Sequence, residues 1–355
     1  MRSAPPATWT WFTSREPESG ETPRIHLTPS YGDDVIATTN KEKHRMSALI
    51  CGSMAYDTIM VFHDRFKNHI LPEQVHILNV SFLVPDLRRE YGGCAGNIAY
   101  NLKLLGGDPL PMATVGKDFQ PYSQWMAYCG ILQELIRVVD DSYTAQAYIT
   151  TDMDDNQITA FHPGAMSFSH LNRVPSDHKI RLGIVAPDGK EGMIQHAEQF
   201  AAAGIPFIFD PGQGMPMFNG EELLHFIELA SWMTLNDYEA QLMQERTGLM
   251  PEQLAQSVEA LIVTRGASGS LIYTDGNRLE IPPAKPKAVL DPTGCGDAYR
   301  AGLIYGLMED MDWHTTGRIA SLMGAIKVET AGTQNHAFEL LDFRERFHEN
   351  FGHSF

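Results

Sequence analysis

Asp291-Pro292-Thr293-Gly294-Cys295-Gly296-Asp297-Ala298 is the stretch on which the reading of this chain turns. Alternate glycines at 294 and 296 let a backbone turn sharply and bring N–H groups together without Cβ interference. A strand-like run, Ala288–Leu290, precedes it, and a helical run from Ala298 to about Met308 follows. Converging N–H groups at a helix start form an anion hole. The acid at position 297 is the unusual part, since a carboxylate repels a bound phosphate. Its presence makes sense if it accepts a proton from a nucleophile attacking that phosphate. The plain alternative is a Gly-rich turn capped by Asp, which would win for a lone Gly-x-Gly. Five specified residue types between strand and helix reverse that balance.

Outward from this turn, short β-branched runs alternate with amphipathic stretches, the pattern of a largely parallel sheet covered by helices. Strands are expected at Ala48–Gly52, Leu182–Ala186, Pro206–Phe209, Trp232–Leu235 and Leu261–Thr264. Helices are expected from Gly92–Gly96 to about Leu105, and over Met193–Ala203, Glu221–Ala230, Asp237–Arg246 and Thr315–Val328. The fold class is therefore α/β, a doubly wound, mostly parallel sheet flanked by helices. Four strand-like segments fall outside the rhythm, at about 57–62, 77–84, 144–151 and 157–161. The last two are joined by the turn-forming Asp152-Met153-Asp154-Asp155-Asn156. They would make a small β-sheet projecting from the main one and placed to act as a lid.

The chain has 355 residues, 43% hydrophobic and 20% charged, with a formal net charge of −17. That acidity argues against nucleic-acid binding, which relies on Lys and Arg at phosphates. No apolar run approaches the ~20 residues that cross a bilayer. Cys51, Cys94, Cys129 and Cys295 lie far apart, suggesting neither a zinc site nor a disulfide framework. A cytoplasmic protein is expected. Residues 1–45 hold six basic and six acidic side chains and five prolines, without sustained periodicity. They are expected to form a disordered extension ahead of a folded body over 46–355.

The Asp-x-Thr-Gly-x-Gly-Asp-Ala run resembles the C-terminal signature of the ribokinase (PfkB) family of carbohydrate and nucleoside kinases. Three other stretches resemble family elements, and all four occur in family order. Gly92-Gly93-Cys94-Ala95-Gly96-Asn97-Ile98-Ala99 is similar to the N-terminal signature, Asn236-Asp237-Tyr238-Glu239 to the Asn-x-x-Glu element, and Thr264-Arg265-Gly266-Ala267-Ser268-Gly269 to the nucleotide-binding turn. The resemblance implies a ribokinase-like fold and phosphoryl transfer from ATP. Asp297 would be the general base, and the N–H groups of Gly294, Cys295 and Gly296 would stabilise the transferring phosphoryl. Asn236, Thr264, Gly266 and Gly269 would contact ATP, with Gly294 and Gly296. Asn236 and Glu239 would hold Mg2+, through water; their i, i+3 spacing is equally that of a helix capping box. Cys295 would contribute its backbone, not a nucleophile.

On the acceptor side the resemblance makes Asp57 the acid that accepts from two sugar hydroxyls, with Gly93 and Asn97 beside it. Asn97 reads equally as an N-cap and Asp57 as an Asx turn. The segments Asn156–Ala165 and Phe209–Gln213, and Tyr299-Arg300 after the base, resemble nucleoside kinases more than sugar kinases. Phe161 could stack on a purine, whereas a free sugar has no π-face; packing within the lid or a dimer core is the competing role. Gln213 could reach the substrate. The expected activity is that of an ATP-dependent nucleoside kinase, most readily an adenosine kinase, phosphorylating the 5′-hydroxyl. The alternatives are a PfkB-type sugar kinase, such as a ribokinase or fructokinase, and a non-catalytic nucleoside-binding protein. Net acidity and the lack of a basic cluster near Asp57 disfavour a phosphorylated acceptor. A monomer and a homodimer both fit. Thr333-Gln334-Asn335 is the expected adenine contact.

Overall fold

A computed structural model describes residues 46–355 apart from 71–78, 155 and 177–178. The expected extension over 1–45, the start of the expected strand at 77–84 and Asp155 of the hairpin turn lie outside the described residues. The strands are β1 (Ser47–Cys51), β2 (Ala55–Val61), β3 (Asp86–Gly92), β4 (Pro109–Gly116), β5 (Leu135–Val139), β6 (Ala145–Thr151), β7 (Gln157–His162), β8 (Ile180–Val185), β9 (Phe207–Phe209), β10 (Trp232–Asn236), β11 (Ala260–Thr264), β12 (Ser270–Thr274) and β13 (Asn277–Ile281). The helices are α1 (Cys94–Leu104), α2 (Gln120–Tyr128), α3 (Lys190–Ala203), α4 (Gly220–Leu229), α5 (Asp237–Thr247), α6 (Pro251–Leu254), α7 (Cys295–Met308), α8 (Trp313–Val328) and α9 (Leu340–Phe351).

Nine strands form one sheet in the order β13-β12-β11-β10-β9-β8-β1-β4-β5. Pairing is parallel from β11 through to β5, and β12 and β13 add an antiparallel edge. Alternation along β1 explains the layers. Ala48 and Ile50 face a core with α1, α7, α8 and α9, whereas Leu49 and Cys51 face the core of α3, α4 and α5. Strand order reverses beside β1, which pairs β4 on one side and β8 on the other, so a crevice is expected outside the carboxyl ends there. Cys51, Val185, Phe209, Asn236 and Thr264 all end strands at that edge.

A second, four-stranded sheet has the order β3-β2-β6-β7. Register places Asp57 opposite Ala147, and Ala147 opposite Phe161. These three side chains therefore project from one face in one cross-strand row, with Glu90 of β3 also opposite Asp57. The strand expected at 77–84 is corrected: the described residues 79–84 are not strand, and β3 lies at Asp86–Gly92. Its mostly exposed, charged sequence carries no hydrophobic period to read. The strand-like Ala288–Leu290 is likewise corrected. Val289 and Leu290 are exposed, and the backbone N–H of Leu290 donates to Val328 O at the end of α8. The glycine turn is thus reached by a loop, not a strand.

Candidate active site

Gly294 is the N-cap of α7 with φ +79°, a conformation that favours glycine. The loop before it is held from several sides. The Asp291 carboxylate accepts from the N–H groups of Thr293 and Gly332, both at 2.9 Å. Lys327, in the last turn of α8, is wholly buried, and its Nζ donates to the carbonyls of Asp291 (2.8 Å) and Thr330 (3.1 Å). Burial pushes its pKa down. The two carbonyls and the negative end of α8 stabilise the ammonium. The turn is therefore organised before any anion arrives.

Asp297 lies in the first turn of α7, and burial pushes its carboxyl up to about 6. The Asn97 Nδ2–H donates to Asp297 Oδ2 at 2.8 Å, and the Arg300 guanidinium also favours the ionised form; Asp210 and Asp57 oppose it. A carboxyl near 6 is ionised at neutral pH yet basic enough to take a proton. Arg300 forms a bidentate pair with Asp210, 2.9 Å at both contacts, with both side chains buried. Its Nη1 reaches Gly296 O at 3.4 Å, and its Nη2 lies 3.9 Å from Glu239 Oε2. Arg300 thus joins the carboxyl end of β9, the turn and α5.

Asn236 and Glu239 form the capping box in full. Asn236 N–H donates to Glu239 Oε2 and Glu239 N–H donates to Asn236 Oδ1, both at 2.7 Å. Burial raises the Glu239 carboxyl. Among the described residues no cluster of three or more acidic, His or Cys side chains could hold a metal. That donor set fits Mg2+ bound chiefly by water and phosphates, as this ion commonly is, and would not suit a dedicated protein cage. Thr264 pairs with Asn236 across β10 and β11, so the Thr264–Gly269 turn lies beside it, with Gly266 at φ +54° and Gly269 at φ +79°.

On the other side of Asp297, Asp57 sits in β2 with its carboxyl pushed up to about 6 by burial, then by Glu90 and Asp291. Gly92 makes room for it, since a Cβ there would lie 2.6 Å from Asp57 Oδ2. With Asp57 in the acceptor-binding role that the resemblance implies, Gly92→Ala is expected to displace this carboxylate and raise the KM for the acceptor by roughly tenfold to a hundredfold, with kcat less affected. Steady-state kinetics at saturating ATP would check the split. Gly93, at φ +84°, caps α1, and a Cβ on it would meet Ser53 O and Met54 Cα at 2.6 Å. Asn97 is buried in α1. Phe161 is 53% exposed on β7. Gln213 is exposed on the 3₁₀ turn Gly212–Met217, after Asp210. Burial raises the Cys295 thiol to about 11, so no thiolate forms near neutrality.

The adenine expectation for Thr333-Gln334-Asn335 is corrected by their partners. Gln334 Nε2 donates to Asn97 Oδ1 (2.9 Å) and Tyr122 Oη (2.7 Å), while Asn335 Nδ2 donates to Glu90 and Thr333 Oγ1 to Tyr91 O. These side chains thus brace α1, α2 and β3 around Asn97. Arg88 and Arg89 of β3, which sequence reading left unassigned, are paired with Glu90 and Asp118. Arg89 also lies over the Tyr56 ring at 3.6 Å.

A doubly wound sheet with a side sheet, and an acid at the mouth of an anion-binding helix start, define a phosphotransferase. The chain belongs to the pfkB family carbohydrate kinases, whose family model matches residues 53–339. It is 33% identical to the nucleoside kinase of Methanocaldococcus jannaschii over 262 residues, 73% of this chain and 85% of that one. The structure of Burkholderia thailandensis nucleoside kinase in complex with inosine superposes with a TM-score of 0.79 at 52% identity, covering 87% of this chain and 99% of that one. The same enzyme in complex with ADP-inosine gives 0.77 at 54% identity, covering 87% and 97%. The expected ribokinase-like fold is thereby established.

Proposed function

We propose that the chain is an ATP-dependent kinase of purine nucleosides, with adenosine and inosine as the acceptors to compare first. The observation that carries this reading is the row formed by Asp57, Ala147 and Phe161. Two strand spacings, about 10 Å, separate an acid able to take a vicinal diol from an aromatic ring able to stack on a base. That span suits a ribose joined to a purine. The likeness to a nucleoside kinase in complex with inosine supports the same acceptor class.

In the proposed reaction the 5′-hydroxyl attacks the γ-phosphate in line and loses its proton to Asp297 as ADP departs. The N–H groups of Gly294 and Gly296 would meet the charge on the transferring oxygens at the positive end of α7, whereas the expected third donor, the Cys295 N–H, is already given to Pro292 O at 3.1 Å. Asn236 and Glu239 would hold Mg2+ through water, and the ion would neutralise phosphate charge. Closure of the small sheet would exclude water, which competes with the hydroxyl.

The test is a panel of adenosine, inosine, pyrimidine nucleosides, ribose and fructose with ATP and magnesium. Purine nucleosides are expected to have the highest kcat/KM, and turnover confined to free sugars would overturn the proposal. Phe161→Ala is expected to raise the purine nucleoside KM about fivefold through lost stacking, while any residual turnover of ribose is unchanged.

A further inference from the structure

We propose that Trp125 and Gln334 are positioning residues that fix which end of the Asn97 amide faces Asp297. A buried amide can turn over in place, and its direction decides whether it supports or repels a neighbouring carboxylate. Here the direction is set from outside the site. The Trp125 indole Nε1–H donates to Gln334 Oε1 at 2.9 Å, and an indole N–H cannot accept. Gln334 must therefore present Oε1 to Trp125 and Nε2 to the far side. Nε2 there donates to Asn97 Oδ1 and to Tyr122 Oη. Tyr122, having accepted, donates its own O–H to the carbonyl of Gly92 at 2.9 Å, a group that can only accept. Asn97, with Oδ1 occupied, has only Nδ2 left to offer Asp297.

Each link has one allowed polarity, because the chain starts at a pure donor and ends at a pure acceptor. Gly96, from the Gly-Gly-Cys-Ala-Gly-Asn stretch, makes the space. A Cβ there would lie 1.9 Å from Tyr122 Oη and 3.3 Å from Gln334 Nε2. This glycine is required by the relay, not by a backbone conformation.

Asp297 needs a fixed donor because its surroundings are divided. Arg300 of its own helix favours the charged form. Asp210 after β9 and Asp57 of β2 oppose it, and the Cys94 thiol of α1 and Cys295 of its own helix lie within its field. An Asn97 turned the wrong way would add a carbonyl dipole to the opposing side.

The test is the pH dependence of kcat/KM for the nucleoside in Trp125→Phe and Gln334→Met, beside the wild type. Trp125→Phe keeps the ring but removes the donor that sets the polarity. Gln334→Met keeps the volume but removes both ends of the link. In each the acid limb is expected to move up by about half to one pH unit, as befits partial loss of a charge-assisted bond. Turnover above the limb is expected to stay within about threefold of wild type. A uniform loss at every pH, with the limb unmoved in whichever variant is folded, would overturn the proposal. The inference rests on Asp297 being the base. Wild-type turnover by Asp297→Asn would refute that reading, whereas an inactive Asp297→Asn beside unmoved limbs refutes the relay alone.

Discussion

Asp297→Asn is expected to lower turnover by roughly 10³-fold or more, while nucleoside binding measured by calorimetry changes little. The substitution is nearly isosteric, and Asn Oδ1 can still accept the Asn97 Nδ2–H that now reaches Asp297 Oδ2 at 2.8 Å. What disappears is the ability to take a proton. The same variant tests the electrostatics. The folded carboxyl is raised above its ordinary value of 3.8 to about 6, so ionising it in the folded protein costs free energy. The contribution of this one carboxyl to stability is therefore fullest below pH 4 and declines as pH rises through about 6. The Asn variant escapes that decline. Its melting temperature should match the wild type near pH 4 and exceed it at pH 7 to 8. A variant with undiminished turnover would remove Asp297 from the role of base.

The largest effect on folding is expected from Arg300→Met. It leaves the Asp210 carboxylate buried, with both of its 2.9 Å partners gone. Breaking a buried ion pair from one side typically costs about 3–5 kcal/mol, which for a folded body of this size lowers the melting temperature by roughly 5–8 °C. The double variant Asp210→Asn with Arg300→Met removes both charges and should recover much of that loss, because a buried pair gives little net stability over neutral groups. Activity should not recover in parallel. Arg300 also contacts Gly296 O and approaches Glu239, so it sets the turn against α5. Thermal melts of the two single variants and the double, read beside their kcat, would separate the stability role from the organising one.

Much of the site was legible because it is written in local patterns. The glycine turn and its acid, the Asn236–Glu239 box and the β6–β7 hairpin each fall within a few consecutive residues. The parts that were not legible have physical reasons. β4 carries Pro109 and Pro111 and has no counterpart in the sequence reading, yet the Ala48 N–H donates to Asp108 O and the Gly52 N–H to Met112 O, so the even residues of β4 face β1. The two prolines point to the other side, where β5 pairs only from Met112 onward and no N–H is needed. β3 was missed because its side chains are exposed and charged. The β12–β13 hairpin is not part of the sequence reading, and the strand-like Ala288–Leu290 ahead of the glycine turn is a loop with Val289 and Leu290 exposed. Tyr122 and Trp125 carry no sequence signal and Gln334 is read only as an adenine contact, since more than two hundred positions separate Trp125 from Gln334.

On the proposed function, the row across the small sheet would give the acceptor the standing of a bivalent ligand. The ribose and the base would each be held weakly, by Asp57 at one end and Phe161 at the other, on strands bonded into one sheet. The glycosidic bond makes the second contact intramolecular, with an effective concentration in the millimolar range or above. Ribose and free adenine supplied together would lack that advantage, since each must surrender its own freedom of motion. Cleavage of the nucleoside into its parts would therefore remove it from this enzyme's reach without altering a single contact group.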